Sequence, residues 1–317
     1  MGIFANPLTD LLEYEDFSRD FLKGTDPVGM TGCIDSEKVH FMSTFLGEKK
    51  VQLVVTYNEQ RAREIEEDYK LFCSQVYVIP PRDLIFFSAD LQGNAIIAER
   101  MKAFAALYQN EAKVIITTMD ALMSAAVPFE QLMSHVIKLK EGDELDLEKL
   151  KHDLTVMGYE RVGRVEEPGQ FTVHGGIADV YPLTMEVPVR IELWGDEIDT
   201  IRCFEPQSQR SMDQIECVSV FPAAEVIADD TARRRAVGMI QNELESQLAV
   251  FKKAKEPDKA KRLREETNRI LEALGEDVVL EAPDSYISYF YPRTVQLSEY
   301  FDEKNTLVFL DEPMRLK

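Results

Sequence analysis

The first third of the chain alternates short apolar runs with segments whose apolar residues recur every three or four positions. Residues 51–56 (VQLVVT), 76–79 (VYVI) and 114–118 (VIITT) each read as a buried strand. Between the first two, Ala62, Ile65, Tyr69 and Phe72 mark one face of a helix that Asn58 is placed to cap. A second helix is predicted from Asn94 to Tyr108, and a short one over 120–126. Strand and helix in alternation predict an α/β layer built on a parallel sheet.

From about Ser134 the texture changes. Leu147, Leu150, Leu154 and Met157 line one helical face, and short alternating strands separated by Gly and Pro follow, which predicts a separate α+β domain over 134–222. After Phe221-Pro222 the pattern becomes long-helical from about Thr231 to Leu274, broken near Glu256-Pro257, where proline suits a first helical turn. Two antiparallel helices are the simplest arrangement. Residues 306–310 (TLVFL) are a strand with no helix after it, which predicts that the chain is part of a longer protein.

Length and composition narrow the class. At roughly 150 residues per domain, 317 residues make about two domains or one with an insertion, and 45% hydrophobic against 29% charged residues excludes a disordered or fibrous chain. No apolar run of about 18 residues is present to cross a bilayer, and the acidic N-terminus lacks the positive start of a signal peptide. Asn6 stands where a myristoylation signal needs Ser or Thr. A cytoplasmic protein with reduced thiols is expected. The four cysteines form no C-x-x-C and the four histidines no ligand-spaced pair, so no metal site is expected.

The charge count, 36 basic against 57 acidic residues, gives −21. Basic residues are outnumbered in each segment: 12 to 20 in 1–133, 9 to 18 in 134–222, and 15 to 19 in 223–317. Such a chain repels a polyanion, so no direct nucleic-acid binding is expected of it.

A phosphate-binding loop needs G-x-x-x-x-G-K-[ST], whose glycines free backbone N–H groups to face the phosphates and whose lysine neutralises them. The nearest stretch is Gly29-Met30-Thr31-Gly32-Cys33-Ile34-Asp35-Ser36, in which Ile34 replaces the second glycine and Asp35 the lysine. A carboxylate aimed at a triphosphate repels it, and the stretch reads as a surface loop. Residues 306–310 followed by Asp311-Glu312 have the form of a Walker B strand, whose acids would hold Mg²⁺. Without a phosphate to serve, they read as a polar turn. Glu166 and Glu167, adjacent and so on opposite faces of a strand, read as solvated.

The most informative segment is Pro188-Val189-Arg190-Ile191-Glu192-Leu193-Trp194, before the turn residues Gly195-Asp196. Alternation puts Val189, Ile191 and Leu193 on the core face and Arg190, Glu192 and Trp194 on the other. Trp and Arg are the residues most enriched at binding hot spots. The alternative is a sheet covered on both sides, with Trp194 in a second core. His174 is placed to share the outward surface.

Three stretches carry a resemblance: 169–182 (GQFTVHGGIADVYP), 187–211 (VPVRIELWGDEIDTIRCFEPQSQRS) and 221–225 (FPAAE). Together with 242–248 and 261–267 they resemble the UvrB-like N-terminal region, domains 1a, 2 and 1b, of the bacterial transcription-repair coupling factor family. The resemblance implies a degenerate RecA-like, P-loop-like domain formed by two chain parts, 1–133 (1a) and 223–317 (1b), with the UvrA-binding domain 2 inserted at 134–222. It implies a vestigial nucleotide site at Gly29, Gly32, Asp35, Ser36, Asp311 and Glu312. The long DNA-locking hairpin of UvrB is absent, only residues 80–93 filling its place. UvrA-contact positions fall on His174, Arg190 and Trp194. The family often has Arg at the first of these and Phe at the last, so His174 weakens the cationic contact. The family implies no catalytic residue and no cofactor in this region; ATP and Mg²⁺, RNA polymerase and DNA would engage the rest of a longer chain, a DNA translocase. A UvrB-like ATPase or helicase is the competing expectation.

Overall fold

A computed structural model describes residues 14–24, 27–82, 91–227, 229–275 and 286–316, with Leu8 and Asp10 besides. In chain order the principal elements are α1 (Tyr14–Lys23), α2 (Asp35–Ser43), β1 (Val51–Thr56), α3 (Glu59–Lys70), β2 (Val76–Ile79), α4 (Leu91–Tyr108) and β3 (Val114–Thr118). There follow β4 (Ile137–Lys140), α5 (Leu147–Val156), β5 (Gln170–His174), β6 (Ile177–Val180), β7 (Val189–Trp194), β8 (Glu197–Phe204), β9 (Ser211–Gln214) and β10 (Cys217–Val220). Two long helices, α6 (Asp230–Ala254) and α7 (Pro257–Gly275), precede β11 (Thr306–Leu310).

The chain forms two compact units. The first comprises 1–82, 102–124 and 297–317, and the second 83–101 and 125–296. These limits cut the chain differently from the three segments named above, since the two long helices fall in the unit that contains 134–222.

In the first unit, four parallel strands run in the order β11-β1-β3-β2. Early and late parts of the chain therefore complete one sheet, with Val51 opposite Thr306 and Val55 opposite Leu310. Every residue of β1 and β3 is buried, which is why both read as continuous apolar runs and not as alternating ones. Gln52 and Thr56 are the polar exceptions in β1; the Gln52 amide donates to the Met42 carbonyl at 3.1 Å and its oxygen accepts from the Tyr69 hydroxyl at 2.8 Å. The Asn58 side chain accepts from the Arg61 amide and caps α3, whose Ala62, Ile65 and Tyr69 enter the core with Val39, Val54, Val78 and Ile116. Tyr14, Phe17 and Phe21 of α1 pack on Phe41, Phe45 and Leu307.

In the second unit a six-stranded sheet runs β9-β8-β7-β6-β5 and ends on the short strand Glu160–Arg161. Its neighbours are antiparallel except at that last pairing. Leu150, Leu154 and Met157 of the predicted helical face pack on Phe171, Val173, Ala178, Val180, Val189, Ile191 and Ile201, so one face of this sheet is core. The break between α6 and α7 falls where proline predicted it, with Lys255 in the left-handed region (φ 57°) and Pro257 opening α7. Arg100 and Glu225 form a fully buried ion pair in this unit, at 2.5 and 3.1 Å. Glu225 closes the FPAAE stretch.

Candidate functional site

The outward face of the six-stranded sheet places the three predicted contact residues by register. Thr172, Asp179, Arg190 and Arg202 form one cross-strand row; His174, Ile177, Glu192 and Thr200 form the next. Trp194 lies one step further along β7, opposite Glu197, at the end of the strand before the turn at Gly195. The β5–β6 and β7–β8 hairpins thus present their tips at the same end of the sheet, with His174, Ile177 and Trp194 beside them.

Trp194 is 85% exposed and Ile177 40% exposed. Alternation placed Trp194 correctly on the outward side. A second, smaller core does cover part of that side, but it consists of Val165, Tyr181 and Phe204 at the other end of the strands, and Trp194 is not in it. Ile177 adds apolar surface to the open end; its exposure depends on the register of β6 and was not legible in the strand pattern alone. The His174 ring nitrogen lies 3.0 Å from the Thr172 hydroxyl, and the ring is exposed.

Arg190, on the same outward face, has a partner within the chain. Its guanidinium donates through Nε and Nη2 to both carboxylate oxygens of Asp179, at 2.8 and 2.7 Å, and stacks 4.8 Å above the Phe204 ring. The Asp179 hydrogen bonds raise the Arg190 pKa, against the opposing effect of burial. Two of its nitrogens are thus engaged by the chain's own Asp179, and Arg190 shares a strand face with Trp194, about 13 Å away along the strand. Asp179 went unnoticed in the sequence, where a carboxylate in the middle of the apolar run Ile177–Val180 was the available signal that a cation faces it.

The stretch compared with a phosphate-binding loop lies in the first unit. Gly29, Gly32, Asp35 and Ser36 are exposed, and the loop leads into α2, which begins at Asp35. The surface-loop reading holds for them. The polar-turn reading of Asp311 does not, because its side chain is only 2% exposed. Lys38 reaches Asp311 at 3.2 Å and Glu312 at 2.5 Å. The other Asp311 oxygen accepts from Arg61 Nε at 3.2 Å and from the Thr56 hydroxyl at 3.0 Å. Arg61 also lies 3.4 Å from Asp35. Partial burial pulls the Lys38 ammonium down, but hydrogen bonds to Glu312 and Asp311 outweigh it and the pKa is raised.

Lys38 and Arg61 were missed as members of this cluster; Lys38 is one turn into the helix after the loop, and only the fold brings it to β11. The residues fit a Mg²⁺–nucleotide poorly, since both Asp311 oxygens already hold protein cations and Asp35 adds negative charge at the loop. Glu166 and Glu167 are exposed, as read, but lie in the loop before β5. Residues 83–90, within the stretch compared with the UvrB hairpin, lie outside the described residues. Among the described residues no group of three or more His, Cys, Asp or Glu is placed to hold a metal ion, and no helix is long and apolar enough to cross a membrane.

Comparison with known proteins agrees with this architecture. Residues 137–225 match the UvrB interaction domain family. Across 98% of its length the chain is 30% identical to the transcription-repair-coupling factor of Bacillus subtilis, covering 27% of that protein. It is 29% identical to that of Staphylococcus epidermidis over 100% of the chain and 27% of the relative, and 31% identical to that of Staphylococcus haemolyticus over 94% and 25%. The chain therefore spans about a quarter of the length of these relatives. End to end, it is similar to the N-terminal region of the transcription-repair-coupling factors, and its second compact unit contains the stretch that matches the UvrB interaction domain family.

Proposed function

We propose that this chain is a non-catalytic docking module that recruits UvrA during transcription-coupled nucleotide excision repair. The observation that carries the proposal is Trp194, largely exposed at the open end of a sheet inside the matched UvrB interaction domain. A tryptophan held on a rigid strand, with Ile177 exposed beside the same hairpin tips, supplies the desolvatable anchor on which protein interfaces depend. His174 borders that anchor, while Arg190 fixes the strands through Asp179.

In this reading the first unit is a nucleotide fold without its ligand: Lys38 and Arg61 neutralise the acids that would otherwise hold Mg²⁺, so neither ATP nor Mg²⁺ is a cofactor of this region. The complete protein would be a cytoplasmic, ATP-dependent DNA translocase that displaces stalled RNA polymerase through other domains. Isothermal titration of purified UvrA into the chain, and of Mg²⁺–ATP into the chain alone, tests both halves. Saturable UvrA binding lost in Trp194→Ala, with no heat from the nucleotide, is the expected result. Micromolar Mg²⁺-dependent ATP binding would instead support a UvrB-like ATPase.

A further inference from the structure

The segment charges noted above conceal a local reversal. Between Lys252 and Arg264, at the tip of the α6–α7 hairpin, stand seven basic residues and two acidic ones, in a chain of net charge −21. The tip also stands away from its unit's core. No residue from 241 to 266 is buried, and the Tyr289 hydroxyl, donating to Glu243 at 2.5 Å, ties down α6 about 16 Å of helix rise before Ala254. That separation is about two Debye lengths at physiological salt, so the tip presents its own sign of charge to a partner.

Of the two acids within the tip, Glu256 pairs with Lys259 at 2.9 Å and Asp258 stands in the first turn of α7; just beyond the tip Glu265 pairs with Lys261 at 3.8 Å. Lys252, Lys255 and Arg264 have no such partner among the described residues, and together with the paired Glu256, Lys261 and Glu265 they rim a groove of about 730 Å³, net cationic, whose apolar lining includes Leu248, Phe251 and Pro257. Lys252 and Lys253 close α6, where cations stabilise a helix end. Arg262 and Arg264 have no such reason to be there, because they occupy the early turns of α7, nearer its positive end.

We infer that this groove binds a short acidic protein segment carrying apolar residues, with Lys252, Lys255 and Arg264 facing its carboxylates and Phe251 its apolar side chains. A cationic rim around an apolar floor is complementary to an acidic amphipathic helix or strand. Duplex DNA fits less well: it carries one charge per roughly 1.7 Å and needs no apolar floor.

Fluorescence anisotropy tests the assignment on the whole chain, with a labelled peptide of glutamates bearing leucine at helical i, i+3 and i+4 positions. Three further probes accompany it: its lysine-for-glutamate counterpart, an all-glutamate peptide, and a short labelled duplex. The leucine–glutamate peptide should bind best, with affinity falling as salt rises. Lys252→Glu combined with Arg264→Glu should weaken it roughly tenfold or more, the neutral Lys252→Gln with Arg264→Gln by less, and Phe251→Ser should weaken it with unchanged helicity. Trp194→Ala should leave peptide binding intact, which separates this surface from the UvrA-docking face. Equal binding by wild type and both double variants, equal affinity for the all-glutamate peptide, or tighter binding of the duplex would each overturn the inference.

Discussion

Trp194 and Arg190 sit on one strand face yet differ in what they contribute. With 85% of Trp194 in solvent, Trp194→Ala should shift stability by no more than about 0.5 kcal/mol while costing about 2 kcal/mol of UvrA binding. A thermal midpoint and a titration on the same variant check both values, and a collapsed midpoint would contradict the exposed placement. Arg190→Glu is a different experiment from the one its outward position implied. It sets a second carboxylate against Asp179, whose side chain is 8% exposed, and should destabilise the domain by about 3 kcal/mol. Loss of UvrA binding in that variant is therefore read against its thermal midpoint, since lost contact and lost folding both lower it. The exchange Arg190→Asp with Asp179→Arg should recover much of the stability in denaturant titrations, because the pair faces itself across β6 and β7.

At the scale of elements, β11 is held at the sheet edge by backbone pairing to β1 and by the side-chain cluster at its end. Asp311→Asn would leave Arg61 and Lys38 facing a neutral amide in a largely buried place, with an expected cost of about 3 kcal/mol, measured by urea unfolding. A second element, the turn around Ile227, is held by Tyr291, whose hydroxyl donates to the Ile227 carbonyl and accepts from its amide, both at 2.9 Å. Burial pushes this hydroxyl up to about 12 from 10.0. Because the folded state keeps the proton longer than the unfolded chain, its contribution is complete below pH 10 and disappears as pH rises from 10 to 12. Tyr69 and Tyr159 shift in the same direction through burial. Tyr291→Phe should cost about 1–3 kcal/mol at neutral pH and make the alkaline loss shallower, as read from thermal midpoints across that range.

For the whole molecule, the buried residues of the six-stranded sheet's core run from Leu139 to Val220, with Ile137 and Ala223 packed against them. A piece spanning 134–222 should therefore fold alone, with cooperative unfolding and UvrA affinity within about threefold of the parent. Ending it at 222 omits Glu225, whose buried partner Arg100 would be missing. Non-cooperative melting of the piece would show that the rest of the second unit is needed for its core.

Period and alternation determined by themselves the strands of the parallel sheet, the capped helix at Asn58, the helical break at Pro257 and the outward side of β7, because each follows from local geometry and from which face meets water. That residues 29–36 lack the lysine of a phosphate-binding loop was equally legible, since it is a matter of residue identity. Pairings between distant segments were not. Asp311 lies 273 residues from Lys38 and 250 from Arg61, and Arg100 lies 125 from Glu225. Whether a carboxylate is solvated or buried against such a cation depends on which chain segments become neighbours, and periodicity carries no record of that. The same limit applies to Arg190. Alternation assigned its face, but only the register of β6 against β7 decided that Asp179 would occupy its guanidinium and leave Trp194 as the exposed residue.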